Sequence, residues 1–289
     1  MSPEDYCYNF AAPPGSDFRY SLLGLPLKRR QALLALKAFC LETAQIVSEC
    51  QDAGVARVKL DWWQAEVGRL FAGEPQHPVT RALRGPLADF NLPEEYFREI
   101  LDGITMDLDY DAYPNFSGLM VYLHRRGSVP ALLAAEILGY QDRRATPRFA
   151  HEAGIALILF DFLYDARRHA QCGRLYWPEE EMERYGIKAS DLLAPQTTER
   201  LRQLFAFQAE RIRHHYAQSL THLPTMDRYT QYHLLIRLDL AKALLEEIAE
   251  DGYRLLEQRT SLPPLRKLWL AWRLRRREKL HRRRLPVVA

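Results

Sequence analysis

Asp161, Asp165 and His169 recur every four residues in the stretch GIALILFDFLYDARRHAQCGRLYWP, residues 154–178. Read as one helix, these three polar groups stack a turn apart along one face, with Leu157, Phe160, Leu163 and Tyr164 on the flanks. Burying such groups unpaired is costly, so they line a wet cavity, bind a ligand, or satisfy one another. Two carboxylates one turn apart can hold a hard divalent cation through oxygen. Asp161 and Asp165 are therefore metal candidates, with Glu42 and Glu49, two turns apart on an earlier helix, as the facing pair. The expectation preferred here is ion pairing of both aspartates with Arg125, Arg126 or Arg168. Asp165 and His169 alone are too few ligands for a transition metal. The acidic run Asp107, Asp109, Asp111 is read as a charge-rich loop.

The second chemical feature is the C-terminal run LPPLRKLWLAWRLRRREKLHRRRL, from Leu262 to Leu285. Helical spacing places Leu265, Leu268, Trp269 and Trp272 on one side, with Arg275, Arg276 and Arg277 among the cations elsewhere. Tryptophans among clustered cations suit an interfacial helix on an anionic membrane. The equal alternative is that the first half packs on the domain and only the arginine-rich part is a solvated tail. Nucleic acid is not an expected partner, because no binding motif accompanies the charge.

Helices must position these groups. Residues 6–26 read as an irregular lead-in broken by Pro13, Pro14, Gly15 and Pro26. Helical periodicity then covers 28–50, 57–71 and 78–87. Asn91, with Pro93 and Glu94 following, is a helix-start signature for a helix running to about Asp107. A helix over 116–138 should kink at Pro130. Thr146-Pro147 opens the central helix, and further helices are expected over 198–220, 227–257 and 265–281. No segment alternates as a strand would. The expected fold is one all-α domain over residues 1–289, a bundle of about eight helices enclosing a central cavity, with residues 265–289 as a basic C-terminal helix or tail.

The chain has 289 residues, 47% hydrophobic and 27% charged, with a net charge of +3, an ordinary globular composition. From Arg266 onward ten Lys or Arg face the single Glu278, an excess of nine, so the remainder carries −6. Basic character is thus confined to the tail. No apolar run is long enough for a membrane span, and the N-terminal residues do not read as a signal peptide. The expected location is cytoplasmic, extending to the inner face of the membrane as a peripheral protein. Cys7, Cys40, Cys50 and Cys172 form no C-x-x-C pair and are expected as reduced, mostly buried thiols.

Several segments together resemble the squalene/phytoene synthase family, in particular its bacterial hopanoid-type squalene branch. They are YCYNFAAPPGSDFRYSLLGLP, RRQALLALKAFC, GVARVKLDWWQAEVGRLFAGEPQHPVTRAL, the central GRLYWP and the terminal YRLLEQRTSLPPLRKLWLAW. The resemblance spans nearly the whole chain. It implies an all-α isoprenoid-synthase fold that joins two prenyl diphosphates head to head, with magnesium held by aspartate-rich motifs on two facing helices. Asp165, Arg174 and Tyr176 match the family's polar pocket positions. The others are altered. Ala44, Gln45 and Ser48 occupy the first acidic motif, Leu41 stands where an arginine is usual, and Lys37 where a tyrosine is usual. Ile158, Asp161 and Tyr164 replace glutamine, asparagine and arginine, His169 replaces the last aspartate of the second motif, and His124 and Arg126 enter a normally apolar segment.

One aspartate and neutral residues cannot assemble a magnesium cluster. The reading is therefore a catalytically inactive family member, with no cofactor, acting as a membrane-proximal accessory, assembly or prenyl-lipid-binding protein. Its expected partners are a prenyl diphosphate or prenyl lipid in the cavity, a protein such as a catalytic paralogue, and an anionic membrane surface. The alternative is a head-to-head farnesyl transferase with an altered metal site, and only that alternative calls for Mg²⁺.

Overall fold

A computed structural model describes residues 1–50 and 52–284. Residues 285–289 of the expected basic tail lie outside the described residues. Among the described residues there is no strand, and the helices pack as one bundle.

The N-terminal stretch is more ordered than its breakers suggest. Helix α1 (Pro3–Ala11) carries a capping box in which the Ser2 hydroxyl accepts from the Asp5 amide while the Asp5 carboxylate accepts from the Ser2 amide. Helix α2 (Asp17–Ser21) starts from a Ser16 cap. Expecting an irregular lead-in from Pro13, Pro14 and Gly15 overlooked these two serine caps. Helix α3 (Leu27–Glu49) follows and buries Leu33, Leu36 and Phe39. Helix α4 (Ala53–Phe71) begins where the Asp52 carboxylate accepts from the Gly54 and Val55 amides, at 2.7 and 3.1 Å. Of its two tryptophans Trp63 is buried, while Trp62 is exposed beneath the Arg69 guanidinium.

Helix α5 (Pro78–Asp89) and helix α6 (Glu94–Asp109) come next. The cap of α6 is Pro93, not Asn91, and no side chain closes it. Helix α6 continues through Asp107, which is buried on the face of Ile100, Gly103 and Ile104. The acidic run is therefore not simply a loop. Helix α7 (Phe116–Leu123) is capped by Asn115, and residues His124–Ser128 form a π-helical turn before α8 (Val129–Leu138). Pro130 lies in the first turn of α8, where its missing amide costs nothing. The expected kink is thus realised as a π turn, a feature common at functional sites.

Helix α9 (Ala145–Tyr164) is apolar nearly all round and buried accordingly. Asp227, fully buried, accepts from the Gln141 and Asp142 amides and the Thr146 hydroxyl, pinning the start of α9 to the loop before a later helix. At Asp165 the backbone leaves helical geometry (φ −105°, ψ 19°) and α10 (Ala166–Gln171) follows. The 154–178 segment is therefore not one continuous helix, and Asp161, Asp165 and His169 do not form a straight stack. Helix α11 (Glu179–Tyr185), a short 3-10 turn (Ala189–Leu193), α12 (Glu199–His222), α13 (Tyr232–Glu250) and α14 (Pro264–Arg284) complete the bundle. Helix α13 is shorter than its periodicity predicts, since residues 227–231 and 251–257 are largely turns.

Helix α9 is central, flanked by α12, α8, α13 and the π turn, while α3 packs against α1, α5 and α8. Helix α14 turns Leu270, Ala271 and Leu274 onto the protein, and its Glu278 is fully buried against Arg228 (3.0 and 3.1 Å) and Arg277 (3.1 Å). The arginine-rich half is thus helical as far as Arg284 and packed on the protein through Leu274 and Glu278. Its four cysteines are free thiols, with Cys7 buried and Cys172 exposed.

Candidate functional site

A cavity of about 470 Å³ opens between α3, α9, α13 and the π turn, a size ordinary for a small-molecule site. One wall is apolar, with Leu33, Leu36, Leu41, Val47, Leu157 and Ile158. Ala44, Gln45 and Ser48 line its α3 side toward the mouth, and Asp161, Asp165, Arg168, His169, Arg174 and Tyr176 line the facing side. The structure brings these residues to one cavity. Two expected pocket positions do not belong. His124 lies beside Glu99 (3.4 Å) and His151, and Tyr164 donates to the Thr260 carbonyl (2.8 Å) on a different surface.

Asp165 is fully engaged. One carboxylate oxygen accepts from Arg168 at 2.8 Å and the other from Arg259 at 2.9 Å, whose guanidinium also stacks on Tyr164. Pairing with Arg168 was expected; Arg259 was not, because it arrives from 94 residues away. Asp161 differs from the expectation. It makes no ion pair within 4.0 Å among the described residues, and the cations that act on it most strongly are Lys37 and Arg237, with Arg168 acting less. It faces the solvent of the cavity although protein encloses it, and burial raises its carboxyl above the ordinary aspartate value against the pull of Lys37 and Arg237. Arg125 reaches only Asp102, at 4.0 Å.

Asp107 closes one side of the cavity. It accepts from Tyr122 (3.0 Å) and Tyr176 (2.9 Å), and burial raises its carboxyl despite those bonds and the nearby Arg126. Tyr176 stacks on Phe162 with centroids 4.2 Å apart, and His169 meets the Tyr176 ring edge-on at 5.0 Å. Burial lowers His169 to about 4, so it is neutral near pH 7. The α6 face pattern Ile100, Gly103, Ile104, Asp107 carried the signal for a buried aspartate. Sequence reading also missed Arg237 and His233, an i, i+4 pair inside the otherwise apolar stretch of α13.

Glycine contacts set Arg126 in place. A Cβ on Gly127 would lie 2.7 Å from the Gly154 carbonyl oxygen, and one on Gly154 would strike the Gly127 carbonyl, so only paired glycines let the π turn lie against α9. A Cβ on Gly103 would come within 2.8 Å of Arg126 Cδ. These three glycines make the room in which the Arg126 guanidinium enters the cavity.

The donor set does not fit the magnesium cluster implied by the resemblance. Ala44 and Ser48 offer no carboxylate, Asp165 is consumed by two guanidiniums, and Glu42 is hydrogen-bonded by Tyr6. Among the described residues no group of three or more His, Cys, Asp or Glu side chains is placed to hold a metal ion. No helix among them is long and apolar enough to cross a membrane.

Comparison with known proteins agrees with this architecture. The family profile described as squalene/phytoene synthase matches residues 11–266. A 15-cis-phytoene synthase of Synechococcus elongatus is 29% identical over 273 residues, covering 91% of this chain and 89% of its own. Phytoene synthase 1 of Arabidopsis thaliana is 25% identical over 91% of this chain and 64% of its own. Among solved structures, a dehydrosqualene synthase in complex with ligand superposes with a TM-score of 0.85 at 20% identity, covering 96% of this chain and 97% of that one. Squalene synthase HpnC from Alicyclobacillus acidocaldarius gives 0.74 at 24% identity, covering 87% and 95%.

Proposed function

Given that the chain belongs to the squalene/phytoene synthase family, we propose that it is a non-catalytic member that retains a ligand cavity and acts as a prenyl-lipid-binding or accessory protein beside a membrane. The observation that carries this reading is the state of the two acidic motifs. Asp165 is locked between Arg168 and Arg259, and the facing positions are Ala44 and Ser48. Head-to-head condensation must stabilise a departing diphosphate. In the family magnesium supplies that stabilisation, and it needs several oxygen ligands with strong negative charge. Here the carboxylate that matches the family is neutralised and the opposing pair is absent.

The cavity supports ligand binding independently of turnover. It has a long apolar wall suited to a hydrocarbon chain and a polar end. Membrane proximity is supported by α14. Its inner face buries Leu270, Ala271 and Leu274, while its outer face exposes Leu265 (80%), Leu268 (44%), Trp269 (51%) and Trp272 (52%). Arg273 and Arg276 lie over the two exposed indoles at 4.5 and 5.2 Å. Exposed tryptophan and leucine ringed by arginine match an interfacial surface for anionic lipid.

The test is product formation. Purified protein is incubated with farnesyl or geranylgeranyl diphosphate, Mg²⁺ and NADPH, and extracts are searched for C30 and C40 products. None is expected. Products that disappear in Asp165→Ala would establish the alternative, a prenyl transferase with an altered metal site.

A further inference from the structure

We infer that the inner end of the cavity is a metal-independent site for a phosphate-type oxyanion, held by Lys37, Arg126 and Arg237. These cations come from α3, the π turn and α13, line one cavity together, and all act electrostatically on the Cys40 thiol in its wall. Lys37 lies two turns before Ala44 on α3, about 10 Å away along the axis, amid buried Leu33, Leu36 and Phe39, whereas Ser48 is exposed.

Charge balance points to an anion. Among the described residues none of the three cations makes an ion pair within 4.0 Å, although eighteen such pairs occur elsewhere. Asp161 is the carboxylate facing Lys37 and Arg237, and the nearby Asp107 already accepts from two tyrosines. Three cations against Asp161 and Asp107, whose tyrosine donors are neutral, leave a local excess of one positive charge, since Asp17, which also attracts Arg237, is paired with Lys267. All three side chains are part-buried in the cavity lining, and cations held away from bulk water are retained when something pairs with them. Arg126 Nε is buried without a hydrogen-bond partner, and the fully buried His233, which lines the same end, has an unpartnered Nε2. Arg237 is otherwise met by the Phe18 ring at 5.8 Å.

Burial also depresses the Lys37 ammonium and the Arg237 guanidinium below their ordinary values. A bound oxyanion would reverse that penalty, and guanidinium forks suit phosphate oxygens geometrically. Fixed cations thus take the place of divalent ions, and the head lies at the inner end with any apolar chain running along the wall toward the mouth. The head site stands on the cations alone; the chain's placement rests on the prenyl-binding reading above.

Isothermal titration in EDTA tests this with inorganic diphosphate, farnesyl diphosphate and farnesol. Both anions are expected to bind in EDTA and to lose about tenfold or more affinity in Lys37→Met and in Arg237→Met, with each variant's melting curve confirming that it is folded. Anion binding that requires Mg²⁺, or that is unchanged in both folded variants, overturns the site. Should inorganic diphosphate bind while farnesol and farnesyl diphosphate gain nothing from their chains, the oxyanion site stands and the prenyl reading falls. Should farnesol bind as tightly as farnesyl diphosphate while inorganic diphosphate does not bind, the anion site falls and the prenyl pocket stands.

Discussion

Arg237→Met should make the protein more stable. The part-buried guanidinium lies over the Phe18 ring, and Asp161 and Asp17 attract it without offsetting the desolvation that lowers its protonation. Methionine keeps most of the apolar stem and removes the charge. Replacing imperfectly compensated buried charge by an apolar side chain of similar size gains about 1–4 kcal/mol. The lower end applies here, because the cavity admits water and Asp161 loses a favourable neighbour, so about 1 kcal/mol is expected. Unfolding entropy of about 2.1 cal/mol/K per residue gives roughly 0.6 kcal/mol/K for a chain this long, so the melting temperature should rise by about 1.5–2 °C. Asp161→Asn should act oppositely. It leaves Lys37 and Arg237 without their facing carboxylate and should cost about 2 kcal/mol, below the roughly 3–5 kcal/mol of a dry pair. Urea unfolding of both single variants and the double variant measures this directly, and a coupling of about 0.5–3 kcal/mol is expected between contacting charges. If Arg237→Met instead loses more than about 1 kcal/mol, Arg237 is a structural ion-pair partner and the argument for a functional cation fails. A residue that costs stability is the pattern of a binding site.

Three further outcomes follow from particular contacts. His233 is fully buried and its pKa falls to about 3 through burial, so between that value and about 6.5 the unfolded chain binds the extra proton and stability falls as pH is lowered. From pH 7 to pH 5 this one group should remove about 2 kcal/mol, a component that urea unfolding should show missing in His233→Gln; an unchanged pH slope would refute the assignment. Gly154→Ala drives a methyl into the Gly127 carbonyl and should cost about 3 kcal/mol, read as a lowered urea midpoint, whereas a near-neutral result would mean that the π turn shifts freely. Trp269→Ala with Trp272→Ala should abolish flotation with anionic vesicles while leaving the melting temperature within about 1 °C, since both indoles are half exposed; equal flotation would remove α14 as a membrane surface.

The pocket side of α3 and α9 was legible in the sequence because apolar periodicity and the family segments fix which faces meet. Ala44, Ser48, Asp165 and Tyr176 accordingly line one cavity. What sequence reading missed came from long-range packing and local capping. Arg259 reaches Asp165 from beyond α13, and Arg237 reaches the inner end of the cavity from within α13; neither has a local pattern linking it to the central helix. His124 leaves the cavity because the π turn rotates it toward Glu99, a rotation that a regular helix over 116–138 does not contain. Asp107 reads as a loop residue in sequence beside Asp109 and Asp111, although its spacing from Ile100, Gly103 and Ile104 marks the buried face.

The most direct measurement is the release of diphosphate from farnesyl diphosphate in the presence of Mg²⁺. With Asp165 held by two arginines and Ala44 and Ser48 opposite, release should not exceed that of the enzyme-free control, with or without the metal. Magnesium-dependent release that is lost in Asp165→Ala would contradict the account.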